Sequence, residues 1–136
     1  MTTVSTIYSG NLRTEATHVQ SGTVIITDAP IDNQGRGEAF SPTDLLAASL
    51  GSCMLTLIGI SAKNHGFSID GTKVSITKIM AANPRRVSAI EVILDFPQIL
   101  YEANTKNIIE KAALTCPVAL SLHPDIEQRV TFNFFK

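Results

Sequence analysis

Basic residues never cluster in this chain. Eleven lysines and arginines stand against twelve acids, a net charge of −1, and no basic run offers a footprint for DNA, RNA or an anionic membrane. Aromatic residues, 6% of the sequence, are too scattered to build a base-stacking platform. There are two cysteines, Cys53 and Cys116, with no Cys-x-x-Cys and no clustered histidine, so the ligand set for a metal is incomplete. The N-terminal stretch MTTVSTIYSG has neither the basic n-region nor the apolar h-region of a signal peptide. The longest apolar run, around residues 45–60, is interrupted by Ser49, Gly51 and Ser52 and falls short of the ~20 apolar residues of a membrane span. Repeats, low-complexity tracts and linkers are missing as well. The expectation is a soluble, cytoplasmic chain forming a single domain over residues 1–136, without metal, nucleic-acid or membrane partners. In a reducing cytosol its two thiols do not read as a structural staple.

The residues present describe a packed α+β domain. Hydrophobic side chains make up 44% of the chain, enough for a modest core. STIYSG, RTEATHV and GTVIITDA read as strands, rich in Thr, Val, Ile and Tyr and punctuated by Gly10 and Ser21-Gly22. Residues 29–41, APIDNQGRGEAFS, form a loop long enough to be functional. A helix then starts at Ser41, with Pro42 in its first position and Asp44 placed to complete a capping box, and it stops at Gly66. Leu46, Leu50, Cys53 and Leu57 follow at spacings of four, three and four, which predicts one buried stripe carrying Cys53. TKVSITKIM and VSAIEVILDF read as a hairpin of strands around AANPRR. A second helix covers about 103–115, with Ile109, Ala113 and Cys116 on one face, and Pro117 starts a short further helix. EQRVTFNFF closes the chain as a strand. Strands grouped before and between helices, rather than alternating with them, give the α+β class.

For the thiols, two readings stand side by side. Free cysteine is often a small buried hydrophobe, and the helical spacing around Cys53 suits that role. Cys116, at the start of a helical turn, is equally a junction residue or a thiol whose ionised form backbone N–H groups stabilise.

The combination is more specific than either residue. SPTDLLAASLGSC, followed 63 residues later by the cysteine of CPVALSLHPDIEQRVTFNF, resembles the OsmC/Ohr family of osmotically inducible and organic hydroperoxide resistance proteins. The likeness extends over nearly the whole chain. It implies an OsmC-like fold, antiparallel sheets wrapped around two central helices in an intertwined homodimer, with each active site at the interface. It also implies a thiol-dependent peroxidase in oxidative-stress defence. Cys53 is then the peroxidatic cysteine, Cys116 the resolving one, an organic hydroperoxide the substrate and an external dithiol the electron donor, with no cofactor. Arg13, on an N-terminal strand, matches the family's catalytic arginine, and Arg36 is the reserve candidate. The family's peroxidases carry a glutamate after the helix-opening proline, where it clamps that arginine, and this chain has Thr43 there. Glu38 is the loop carboxylate able to reach in. The alternative function is a non-catalytic dimer of the same fold that binds a small apolar ligand or senses redox state.

Overall fold

β-branched residues at alternating positions lay down the first of two three-stranded sheets. The computed structural model describes all of residues 1–136 and separates them into two compact units, Met1–Leu46 and Ala47–Lys136. In the first unit, β1 (Val4–Gly10), β2 (Arg13–His18) and β3 (Val24–Asp28) pair antiparallel in chain order. The β2–β3 turn is closed by His18 N–H to Thr23 O at 2.8 Å and Gly22 N–H to His18 O at 2.8 Å. This sheet is thin. Ile7, Tyr8, Val24, Ile25 and Ile26 are all exposed, and within its strands only Thr27 and Asp28 are buried. The loop that follows contains a 3₁₀ turn, Ile31–Asn33, and is tied to the sheet through Ala29 N–H to Leu12 O and Asp28 N–H to Phe40 O.

Helix α1 (Pro42–His65) begins with the expected capping box: Ser41 N–H donates to Asp44 Oδ2 at 2.9 Å, and Asp44 N–H donates to Ser41 Oγ at 3.0 Å. It ends where Gly66 turns left-handed at φ +75°, with the N–H groups of Gly66 and Phe67 both donating to Ala62 O. β4 (Lys73–Ala81) and β5 (Arg86–Asp95) form an antiparallel hairpin. α2 (Ala103–Leu114) and α3 (Pro117–Ser121) follow, and β6 (Glu127–Asn133) completes a β4-β5-β6 sheet.

The α+β class holds, with one refinement to the expected antiparallel sheets: β6 runs parallel to β5, from Ala89 opposite Glu127 to Asp95 opposite Asn133. The connection through α2 and α3 is a crossover, which is what a parallel neighbour needs. The core of this second unit is Leu50, Met54 and Ile58 from α1, Ile90, Val92 and Leu94 from β5, and Ile109 and Ala113 from α2, all at 0% exposure. Burying each large side chain of this set is worth about 1.5–3 kcal/mol. Phe96, Tyr101, Phe132 and Phe134 stack at one end of the sheet, with Phe96 and Phe134 centroids 4.7 Å apart, and the Tyr101 hydroxyl donates to Ser68 O at 2.6 Å.

Two expectations for α1 are corrected. Its buried face is Ala47, Leu50, Gly51, Met54, Ile58 and Ala62, so Leu46, Cys53 and Leu57 lie at the flank, half-buried. Gly51 sets this rotation, because an added Cβ there would lie 2.3 Å from Ile76 Cδ1 and 3.1 Å from Val74 Cγ1, letting the helix backbone press on β4. The interruption by serine and glycine also does not shorten the apolar helix. By length and composition it could cross a membrane, with a mean hydropathy of 1.9 over its best 18-residue window, 33% of that window being buried. Isolated small residues inside a helix leave the average high, and core packing of Leu50, Met54 and Ile58 accounts for the buried third.

Candidate active site

Pro117 cannot continue α2, so the chain restarts a helix there and Cys116 becomes its N-cap. Its backbone is extended at φ −67°, ψ 150°, and Sγ accepts a hydrogen bond from Ala119 N–H at 3.4 Å. The side chain is completely buried. On the other side it interacts with Cys53, which lies on the flank of α1. Burial pushes the Cys116 thiol up from its ordinary range; the Ala119 N–H opposes this, and the contact with Cys53 adds to the rise. Cys116 therefore keeps its proton at neutral pH. Both cysteines are free, and Cys53 is the more accessible of the two. A buried thiol in contact with a half-buried one is the starting geometry for a two-electron dithiol–disulfide couple.

The first unit carries a separate charged cluster. Arg13 opens β2 directly opposite Asp28, the last residue of β3. Its guanidinium meets that carboxylate side-on, Nε to Oδ1 at 2.7 Å and Nη2 to Oδ2 at 2.9 Å. The Asp28 side chain is 1% exposed and that of Arg13 28%. The pair stabilises both charges: the hydrogen bonds from Arg13 hold the Asp28 carboxyl below the usual carboxylate range, and Asp28 raises the Arg13 guanidinium further. Glu38 lies 3.6 Å from Arg13 Nη2, as the loop position suggested, but with its side chain 63% exposed it is the looser partner. Arg36 stands 4.0 Å from Glu38 and is itself exposed. Thr43 Oγ1 lies 3.2 Å from Ser41 Oγ in the cap of α1.

The absence of a glutamate at position 43 thus does not leave Arg13 without a carboxylate. Asp28, which the sequence reading missed, holds it. The available signal was the hairpin: Arg13 and Asp28 lie equally far from Gln20-Ser21 in the turn, so antiparallel pairing sets them face to face. The histidines serve local structure. His18 Nδ1 pairs with Ser21 Oγ, His65 Nδ1 with Ser61 O, and His123 Nδ1 accepts from Asp125 N–H.

A small α+β chain that keeps one thiol buried at a helix N-cap and in contact with a second on a long helix belongs to the dithiol class of proteins. More particularly, it belongs to the OsmC/Ohr family: the family model described as OsmC-like protein matches residues 35–131. A crystal structure from Psychrobacter arcticus 273-4, of a protein described as a candidate osmotic stress induced and detoxification response protein, is 57% identical with a TM-score of 0.93, covering 97% of this chain and 96% of the other. The organic hydroperoxide resistance protein OsmC from Legionella pneumophila shares the fold at 15% identity and a TM-score of 0.76, over 98% of both chains. A candidate organic hydroperoxide resistance protein from Vibrio cholerae O1 biovar eltor, with captopril bound in one of its active sites, does so at 16% identity and 0.75, over 96% of this chain and 90% of the other. A search among curated proteins gave no match.

Proposed function

We propose that this chain is a cysteine-based peroxidase that reduces organic hydroperoxides to alcohols. The contact between Cys53 and Cys116 carries the reading. Cys53, as the more accessible member, attacks the terminal oxygen of R–O–O–H. The O–O bond breaks, the alcohol leaves with a proton, and Cys53 becomes a sulfenic acid. The neighbouring Cys116 sulfur then attacks the Cys53 sulfur, the S–O bond breaks, and water leaves as the disulfide forms. An external dithiol supplies the two electrons that restore both thiols. By resemblance to the family, Arg13 is the proposed catalytic arginine, and the far edge of its guanidinium is not engaged by Asp28. Cytoplasmic location and independence from metal or organic cofactors belong to the same proposal.

A second copy of the chain is the proposed partner. Large apolar side chains are exposed on the thin first sheet, and most of the apolar window of α1 is no more than half-buried in a single chain. Surface of that extent on a small protein calls for a covering partner. The uncovered surface is continuous in kind with a hydrophobic core, which favours an obligate homodimer.

The test is hydroperoxide consumption by the purified protein, with cumene hydroperoxide and hydrogen peroxide offered in parallel, a dithiol as reductant, and Cys53→Ser alongside. Turnover that prefers the organic peroxide and disappears in the variant supports the reading. A folded, fully reduced protein that consumes no more peroxide than Cys53→Ser refutes it and leaves binding of an apolar ligand as the function to pursue.

A further inference from the structure

We propose that Gln128 is a positioning residue for Cys116: from β6 its side-chain amide holds α3 in the place from which the thiol closes on Cys53, a role resting on the peroxidase reading above. β6 alternates strictly, with Glu127, Arg129, Thr131 and Asn133 exposed and Gln128, Val130 and Phe132 half-buried on the other face. Such alternation reserves the inner face for apolar side chains. Gln128 is the polar member of that face, and its partner across the ladder is Ile90, which is fully buried. An amide at such a position costs stability unless it is hydrogen-bonded. The bond it makes is specific: Nε2 donates to Ala119 O at 2.9 Å, reaching back nine residues along the chain.

Ala119 links that bond to the thiol. Its own N–H donates to Cys116 Sγ at 3.4 Å, so the buried Ala119 is held by β6 on its carbonyl side and meets the sulfur on its amide side. α3 spans five residues, Pro117–Ser121, too few to be stable as an isolated helix. The Ala119 carbonyl lies in its last turn, where a helix has no N–H of its own to offer. Gln128 supplies one from the strand and so fastens α3 to the sheet. The consequence falls on the second chemical step. Cys116 is buried and must shed its proton before its sulfur attacks Cys53, and the Ala119 N–H is a donor aimed at the charge that then develops. As that attack breaks the S–O bond of the Cys53 sulfenic acid, hydroxide leaves with the proton as water. Loosening α3 displaces both the donor and the attacking sulfur, while Cys53 keeps its place on α1.

Reaction of the full-length protein with dithionitrobenzoate, a chromogenic aromatic disulfide, tests this without peroxide. Cys53 displaces one thionitrobenzoate and keeps the other in a mixed disulfide. Cys116 then displaces the second as the Cys53–Cys116 bond forms, so the second release times the attack by Cys116. Gln128→Met fills the inner face of β6 but offers no N–H, and it should slow the second release about tenfold while leaving the first unchanged. Gln128→Glu, of the same shape but without the amide donor, should act in the same direction and decides the matter if Gln128→Met does not fold. Cys116→Ser, which gives the first release alone, identifies the phases. A purely structural bond would lower the thermal midpoint and leave the ratio of the two rates unchanged, and that outcome overturns the proposal. So does a slowing of both phases together. In a single turnover driven by cumene hydroperoxide, the same variants should leave more Cys53 sulfenic acid for capture by dimedone. Absence of peroxide turnover in the wild type sinks the peroxidase reading, while the two release rates still decide the role of Gln128.

Discussion

Oxidising the Cys53–Cys116 pair should stabilise this protein by an amount that follows from where the two residues sit. They are 63 residues apart in sequence and in contact in the fold. A cross-link closing a loop of that length removes denatured-chain entropy worth about 4 kcal/mol at 25 °C. The two thiols already interact in the reduced fold, so the cross-link joins neighbours. With an m-value near ~2 kcal/mol/M, the urea midpoint rises by about 2 M. In thermal unfolding the corresponding rise is on the order of 10 °C. The assay starts from fully reduced protein treated with one equivalent of diamide. Intact mass under non-reducing conditions verifies the loss of two hydrogens within a single chain, and urea unfolding of both forms follows, with Cys53→Ser as the control that cannot cross-link. An oxidised chain that unfolds at the reduced midpoint, or a cross-link that joins two chains, would refute the reasoning.

Further outcomes follow from particular contacts. Because burial raises the Cys116 thiol, the unfolded chain ionises it first as pH rises past about 8.5. Stability therefore declines above that pH, and the decline is shallower in Cys116→Ala, as urea midpoints across a pH series will register. The sign reverses for Asp28, whose carboxyl is lowered by Arg13. Its contribution is present above about pH 4 and is lost as pH falls below that, so Asp28→Asn lacks this part of the acid slope in the same series. Ser41→Ala breaks one arm of the capping box and costs about 1 kcal/mol in denaturant unfolding, and no change at all would mean the cap is not formed. Gly51→Ala gains about 1 kcal/mol of helix propensity. It loses about 1–3 kcal/mol by overpacking on Ile76 and Val74. A Gly51→Ala/Ile76→Val double variant should recover part of that loss, and strictly additive costs in thermal unfolding argue against the clash.

Local signals in this chain were readable because they act over short distances. The capping box at Ser41 and Asp44, the stop at Gly66, the break at Pro117 and the shared face of Ile109, Ala113 and Cys116 all depend on neighbours within a helical turn or two. What escaped the sequence depends on partners. The 3.6-residue period establishes that α1 has faces but not which one meets the sheet, and the close approach of Gly51 to Ile76 turned Cys53 to the flank. The direction of β6 is a property of the crossover, not of EQRVTFNFF. Asp28 reads in isolation as the polar end of a strand before Ala29-Pro30, and only its register opposite Arg13 makes it a clamp.

The parallel pairing of β6 with β5 has a consequence for how the protein is made. Cys116 lies inside the crossover that this pairing closes, and β6 follows it in the chain. At ordinary synthesis rates of about 5–20 residues per second, Cys53 is out for several seconds or longer before Cys116 appears. The burial and N-cap of Cys116, and with them its contact with Cys53, belong to the segment that the β5–β6 pairing holds at both ends. The contact between the two thiols thus forms only after α1 has been made and the chain has continued past Cys116.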